Sequence, residues 1–437
     1  MLKINKKNFI SFDSTTELSS KEIKIKKNNI HDLKQIKSNL ISRGSGLSYS
    51  LLSASEEAIS IKLNQKEITL NINKKSILIS SDYCLGEATK YLMERGYCLH
   101  VLPGHPNVTI GGAIACDVHG KSQNKYGNFG NYVKSIKLYH PDKGYLECSR
   151  DSNCELFELT IGGYGMTGII VEAEVEVRKL NSFDINTTKQ KIINLNELKS
   201  IYKSKLDNYE GVYSWHDLNN IKQFGRGFIF YEKFNYKLGK NIRIVSTSIS
   251  EKKPYKIWKL FAYAYGKFQN TFFYYYNYLT LNRKESHNFY HSNFSNKKQI
   301  YFKVLRSSGF IEKQMIVPID KWERYCKFLE TNIKNLYCFL CVCKFSYSKK
   351  KFLRFSGQGI SIALNFKKNE KSLEFCKKLD KFCENNEIIL CIYKDSQIQS
   401  STIKKMFGNE YIQFSKLLHK YDKNRLFISN MSKKFNL

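Results

Sequence analysis

The stretch IGGYGMTGIIVEAEVEVRKL, residues 161–180, constrains the architecture more than any other part of the chain. Gly163-Tyr164-Gly165-Met166-Thr167-Gly168 spells G-x-G-x-x-G. In a doubly wound parallel sheet that pattern ends a strand and opens a helix. Here the order is reversed. The helix-like CELFELT comes first, and after Gly168 the apolar Val171, Ala173, Val175 and Val177 alternate with Glu172, Glu174, Glu176 and Arg178. A period of two is a strand with one wet face, not a helix. The turn at Gly44-Ser45-Gly46 fails the same pattern, because Tyr49 stands where its third glycine belongs. The order of elements therefore argues against a doubly wound fold.

The rest of the N-terminal part predicts short strands around one good helix. EITLNIN and SILISSDY have strand texture. Leu85, Ala88, Tyr91 and Leu92 mark the buried face of a helix that stops at Gly96. SIKLYHPDKGYLEC predicts two strands joined by a turn at Pro141-Asp142-Lys143-Gly144. Near Leu180-Asn181 the texture changes: glycine thins out and aromatic residues cluster, above all between Tyr255 and Lys284. The end of the chain, NRLFISNMSKKFNL, predicts a short strand and a basic tail.

With 437 residues the chain is long enough for two or three domains. Its 71 Lys+Arg against 39 Asp+Glu leave a net charge of +32. Lysine is scattered rather than gathered into arginine-rich stripes, which favours a phosphorylated or membrane-held substrate over nucleic acid. The N-terminus has no apolar signal region, and no run reaches the apolar length of a membrane span. The 12 cysteines lack the spacing of a small disulfide framework. A cytoplasmic protein with reduced thiols is expected, with peripheral contact at the inner face of the cell membrane as a further expectation.

Three glycine-bearing segments stand out: SRGSGLSYS (42–50), LPGHPNVTIGGAIACDVHGKSQNKYGNFGN (102–131) and IGGYGMTG (161–168). Glycines allow backbone N–H groups to approach a phosphate closely, because no Cβ intervenes. In order and spacing, RGSGLSY, VLPGHPNVTIGGAIACDVHGKSQNKYGNFGNYVKSI and LFELTIGGYGMTGII resemble the FAD domain of the vanillyl-alcohol-oxidase-type (PCMH) flavoenzymes. Within that group the chain is most similar to the decaprenylphosphoryl-ribose oxidases. Weaker matches follow in order: NFYHSNF, IEKQMIVP, FLCVCKF, GISIALNF, CIYKDSQ and the tail.

The resemblance implies an α+β fold. It implies a PCMH-type FAD-binding domain at 1–180, an inserted substrate domain built on an antiparallel sheet at 181–388, and a segment at 389–437 that completes the FAD domain. The cofactor contacts it implies are Arg43, Gly44, Ser45, Gly46, Leu47, Ser48, Tyr49, Pro103, Gly104, Gly111, Gly112, Ala113, Cys116, Asp117, His119 and Gly120. Asn128, Gly130, Gly163, Gly168, Ile169 and Lys394 complete the set. Many relatives tether the flavin through a His in the first glycine loop. Residues 43–50 contain neither His nor Cys, so noncovalent FAD is expected.

By the same resemblance Lys394, Tyr290 and His119 are the catalytic candidates, and Tyr290, Gln314, Lys344 and Lys394 would hold the sugar or its phosphate. A lone lysine in so lysine-rich a chain is ordinarily solvated, and a lone His ordinarily a satisfied core residue. Only the motif singles these out. Three departures bear on the substrate: Leu47 stands where relatives often carry Arg, Ala363 where some carry a pocket cysteine, and Glu312 where they carry glutamine. A carboxylate at 312 beside a phosphorylated substrate is unfavourable unless it is paired or faces away.

The expected activity is oxidation of a secondary hydroxyl of a sugar, a polyprenyl-phosphate pentose, by hydride transfer to flavin, with a separate NAD(P)H-dependent short-chain reductase completing an epimerisation. The alternatives are an aldonolactone or alditol oxidase that uses oxygen, and a basic nucleic-acid-binding protein whose glycines are only turns. No metal site is expected. Cys338, Cys341 and Cys343 lie in a continuous apolar strand without a second CxxC, and His287 and His291 lack a zinc-protease Glu. The aromatic–basic stretch 255–284 is expected to pack as a core or lid helix, or else to meet lipid headgroups.

Overall fold

The computed structural model describes residues 2–180, 182–204, 206–235, 258–334 and 336–437; within these, the side chains of 258–267 and 296–300 are left aside. The part of the 255–284 stretch before Trp258 lies outside the described residues.

The fold is α+β, with three sheets among the described residues. The first contains β1 (Ile4–Ile10), β2 (Glu17–Ile25), β3 (Asn39–Ser42) and β4 (Ala58–Leu63) in the order β1-β2-β4-β3. β1 pairs antiparallel with β2, while β2 and β3 both run parallel to β4. The second sheet contains β5 (Ile68–Asn71), β6 (Ser76–Ser80), β7 (Tyr97–Leu99), β8 (Val133–His140), β9 (Gly144–Ser149) and β10 (Ile169–Lys179). β10 is its centre and pairs antiparallel with β6, β7 and β8. The helix Leu85–Met93 buries Leu85, Ala88 and Leu92 against this sheet and ends before Gly96, whose φ of +79° needs a glycine.

β10 follows the helix Cys154–Thr160 and the glycine turn, as the alternation of its residues requires. Val171, Ala173, Val175 and Val177 are buried, with the intervening Glu172, Glu174, Glu176 and Arg178 partly exposed. The chain passes to the third sheet between Lys179 and Asp184.

That sheet has eight strands: β11 (Asp184–Ile192), β12 (Gly211–Asp217), β13 (Arg226–Phe234), β14 (Glu285–Asn288), β15 (Phe310–Val317), β16 (Cys338–Tyr347), β17 (Gln358–Lys367) and β18 (Ile389–Leu390). Their order is β14-β11-β13-β12-β16-β17-β15-β18, every pair antiparallel. Cys338, Cys341 and Cys343 are buried in β16 as strand residues. Among the described residues no group of His, Cys, Asp and Glu could hold a metal ion.

The residues after 388 touch both halves. β18 extends the third sheet, while Phe427 forms a parallel bridge with Leu40 of β3. The expected C-terminal strand is limited to that bridge. Residues Asn430–Phe435 instead form a helix, because Ser429 and Ser432 make a reciprocal cap at its start. Among the described residues no helix is long and apolar enough to cross a membrane.

Candidate functional site: a glycine-walled cleft ending in two lysines

One cleft draws on all the glycine segments. Its walls are the loop after β3 (residues 42–53), the segment 103–119 and the turn 164–170 at the head of β10; Lys344, Tyr393 and Lys394 stand at one end. The first loop leaves β3 with the Arg43 N–H bonded to the Ile61 carbonyl at 2.8 Å. It makes its turn at Gly46, φ +68°. It then reaches the lysine end, where the Tyr49 N–H donates to the Tyr393 carbonyl (3.0 Å) and Ser50 Oγ to the Ile392 carbonyl (3.0 Å). The cradle and the lysine turn are thus one hydrogen-bonded unit.

The wall is made narrow by missing side chains. A Cβ on Gly44 would collide with Thr109 Oγ1, and one on Gly111 would lie 3.0 Å from Ser81 Cβ. Thr109 Oγ1 already caps the helix Ile110–Ala115 by accepting the Gly112 N–H at 3.2 Å. His105 Nδ1 accepts the Asn107 N–H, so Nε2 carries the proton in the neutral ring. That Nε2 is buried and has no hydrogen-bond partner among the described residues. An elongated groove of close backbone, with a buried donor awaiting an acceptor, fits a phosphate-containing dinucleotide lying along it.

The expected cofactor residues separate into two groups. Arg43, Gly44, Ser45, Gly46, Leu47, Ser48, Tyr49, Pro103, Gly104, Gly111, Gly112, Cys116, His119, Gly168, Ile169 and Lys394 line the cleft, as does Lys344. Ala113, Asp117, Gly120, Asn128, Gly130 and Gly163 stand behind the wall. Asp117 accepts the Gly130 N–H at 2.8 Å, and Asn128 Nδ2 donates to the carbonyls of Asp117 and Phe355, each at 3.0 Å. Gly120 and Gly163 lie tight against the carbonyls of Leu102 and Leu159. These six are not on the cleft lining, and the glycines among them are packed against neighbouring chain segments. Burial pushes the Cys116 thiol up to about 12, so it stays neutral beside the cleft.

Tyr290 is placed apart from the cleft lining. It is buried in the core of the second sheet with Phe289 and Phe294, and Lys90 Nζ lies 5.4 Å from its ring centre. The helix Phe289–Asn293 leaves β14 and packs against Leu85–Met93, which carries Tyr290 to the Gly86 side and away from the cleft lining.

The lysine end is a network of side chains. Lys394 Nζ pairs with Glu312 at 3.1 Å. The second oxygen of Glu312 accepts Asn365 Nδ2 (2.9 Å) and the Tyr49 hydroxyl (3.3 Å). The carboxylate that stands in place of a glutamine is therefore paired and bonded. Burial, then Glu312, holds the Tyr49 hydroxyl well above the ordinary phenol range.

His119 is held at both nitrogens: Gln314 Nε2 donates to Nε2 (2.8 Å), and Nδ1 faces the Tyr393 hydroxyl (3.0 Å). Burial, with Lys344 and Lys394 adding to it, pushes its pKa well below the usual value. His119 is a neutral, fixed ring that orients its surroundings. Gln314 lies behind it, outside the cleft lining.

One supporting feature carried no local sequence signal. Lys313, fully buried on β15, donates to Asp380 and Asp395, each at 2.6 Å. Asp395 also accepts the N–H groups of Gln397 and Ile398. This triad anchors the turn that presents Lys394. Sequence reasoning also passed over Phe12, Ser81, Asp82, His105, Thr109, Phe302 and Tyr393 on the lining. His105 and Thr109 stood inside the second glycine segment and were the detectable ones.

Residues 29–149 match the FAD binding domain family. The chain is 34% identical over 143 residues to the decaprenylphosphoryl-beta-D-ribose oxidase of Mycolicibacterium smegmatis, covering 32% of this chain and 31% of that protein. It is 26% identical over 174 residues to the L-galactono-1,4-lactone dehydrogenase 1, mitochondrial, of Oryza sativa subsp. japonica, covering 39% and 29%. It is also 29% identical over 118 residues to the Delta(24)-sterol reductase of Homo sapiens, covering 27% and 23%. The chain thus matches about a third or less of the length of these relatives. Most of the cleft wall lies inside the matched residues, and the cradle found there is of the right kind. Residues 29–149 are an FAD binding domain, and FAD is the cofactor of this chain.

Proposed function

We propose that this protein is an FAD-dependent oxidoreductase that oxidises a secondary hydroxyl of a sugar, with a polyprenyl-phosphate pentose as substrate. The observation that supports it best is the convergence of Lys344, Lys394 and the fixed His119 at one end of the glycine cradle. FAD, when bound, supplies a two-electron acceptor for the hydride of the carbinol carbon. Cradle residues 43–49, 104 and 111–112 would hold it through backbone N–H groups. Lys394 would carry positive charge beside the developing negative charge, held in place by Glu312. The hydroxyl proton would pass through Lys394, which hands one of its own to the Glu312 carboxylate as it receives it, and His119 would keep the pocket's hydrogen bonds oriented without gaining charge. Similarity to a decaprenylphosphoryl-beta-D-ribose oxidase supports the sugar and carrier class. A short-chain reductase using NAD(P)H would then reduce the ketone and complete an epimerisation.

A second reading has its own support. The Glu312 carboxylate partly offsets the charge of Lys394, which favours an uncharged polyol or lactone over a phosphate at that point. Similarity to a galactonolactone dehydrogenase supports it too.

Anaerobic mixing with each substrate class separates the two. Bleaching of the flavin by a polyprenyl-phosphate pentose, with none by galactonolactone or an alditol, is the expected result. Bleaching by the lactone or alditol alone would establish the second reading, with reoxidation by oxygen as its companion assay.

A further inference from the structure

Over its described side chains, residues 268–279, the helix Trp258–Leu279 turns buried amides inward and a stripe of large apolar groups outward. Its inward side carries amides: Asn270 and Asn277 are each 3% exposed, Asn270 Nδ2 donating to the Cys338 carbonyl and Asn277 Oδ1 accepting Lys189 Nζ. Tyr274 packs beside them against Phe228. Its outward side carries the large apolar groups, with Phe268 75%, Phe272 72% and Leu279 82% exposed. Phe268, Phe272, Tyr275 and Leu279 recur at steps of four, three and four, one continuous stripe along the helix. A water-facing helix places its amides outside and its large apolar groups inside; this one turns Phe273 and Tyr274 inward along with its amides but leaves Phe268, Phe272 and Leu279 outside, so the stripe is built to be covered.

Charge selects the cover. Residues 255–284 contain five basic residues and no acidic ones. At the C-terminal end of the stripe Arg283 and Lys284 are exposed, and Lys191 Nζ lies 5.2 Å from the Tyr278 ring. With a net charge of +32 on the chain, a second copy would meet like charge, whereas an anionic bilayer would meet opposite charge. We propose that this helix lies flat on an anionic membrane surface, with Phe268, Phe272 and Leu279 inserted at the headgroup–acyl boundary and Arg283 and Lys284 on the lipid phosphates. It rests on the surface and does not span.

The position gives the contact a purpose. The helix packs beside the helix Asn296–Ser308, whose Phe302 lines the cleft and stacks edge-on against Phe12 at 5.2 Å. A substrate carried on a lipid would therefore be delivered beside the cleft. The docking itself does not depend on which substrate the cleft takes.

The test uses the full-length protein, without substrate. It is sedimented with vesicles of phosphatidylcholine alone and of phosphatidylcholine with phosphatidylglycerol. The wild type should pellet with the anionic vesicles and release on raising salt. The triple variant Phe268→Ser, Phe272→Ser, Leu279→Ser should bind on the order of 1,000-fold more weakly, each of the three inserted side chains being worth roughly tenfold. It should keep its bound flavin absorbance, which shows that it folds. Wild type left in the supernatant with anionic vesicles would overturn the proposal, as would a triple variant that binds equally well. A wild-type dimer in sedimentation velocity that the triple variant abolishes would also overturn it, by assigning the face to a second copy.

Discussion

The two ends of the cleft are made of different material. The cofactor end is backbone: glycine loops, a capped helix start and glycines packed against carbonyls, with residues such as Asp117 and Asn128 bracing from behind. The lysine end is side chain, in which Lys394, Glu312, Tyr49, Asn365, Gln314 and His119 hold each other in place. Backbone cradles tolerate most substitutions except those that add a Cβ, whereas a buried ionic network changes its chemistry with a single residue. The first end therefore keeps its cofactor while the second can be retuned, and the exchange to Glu312 lies at the second.

Breaking the support of the lysine end should have the largest effect. Lys313→Met leaves Asp380 and Asp395 as buried charges without their shared partner. We expect a loss of about 3–5 kcal/mol in denaturant unfolding. A loss below about 1 kcal/mol would show that the triad is solvated in solution.

Cutting the network at the cleft itself should separate the two ends. Lys394→Met should lower the rate of flavin reduction by substrate roughly 10²–10³-fold while the protein remains yellow. Gly44→Val should do the reverse, giving folded protein that has lost its flavin, because the added side chain meets Thr109. If both variants lost flavin equally, the division of labour would be wrong.

A pH effect of middle size belongs to the cofactor end and its flank. Burial pushes both His105 and His100 from 6.5 down to about 4. The unfolded chain takes up these protons near pH 6.5 and the folded chain does not. Stability conferred by the neutral rings is therefore full above pH 6.5 and falls as pH drops toward 4. Each should contribute on the order of 1–3 kcal/mol to that fall. His100→Gln, measured by urea unfolding at pH 7 and pH 4.5, should flatten the profile.

The smallest effect should come from the exposed pair Lys66–Glu87, at 2.8 Å. Lys66→Ala is expected to change stability by less than about 1 kcal/mol and to leave flavin content untouched.

What could be read from the sequence follows the same divide. The strand after Gly168 was legible because alternation is local, and it correctly turned a G-x-G-x-x-G string away from a doubly wound sheet. The glycine segments announced the cradle because each signal is contiguous. The Lys313–Asp380–Asp395 triad was not legible, since its members are 67 and 82 residues from Lys313 and nothing local marks them. The placement of Tyr290 was not legible for a related reason: its motif fixed its position in the chain, but the packing of a five-residue helix decided which way it faced. The helix at 258–279 was visible as an aromatic cluster, yet only its placement shows that Asn270 and Asn277 are inside and Phe268, Phe272 and Leu279 outside.

The central claim is that the glycine-walled cleft holds FAD without a covalent bond. Purified full-length protein can be denatured in acid, spun, and its supernatant and pellet compared by absorbance and by chromatography against FAD. The account predicts about one FAD per chain, all of it in the supernatant. A colourless preparation that takes up no added FAD, or a yellow pellet with the flavin retained on the chain, would contradict it.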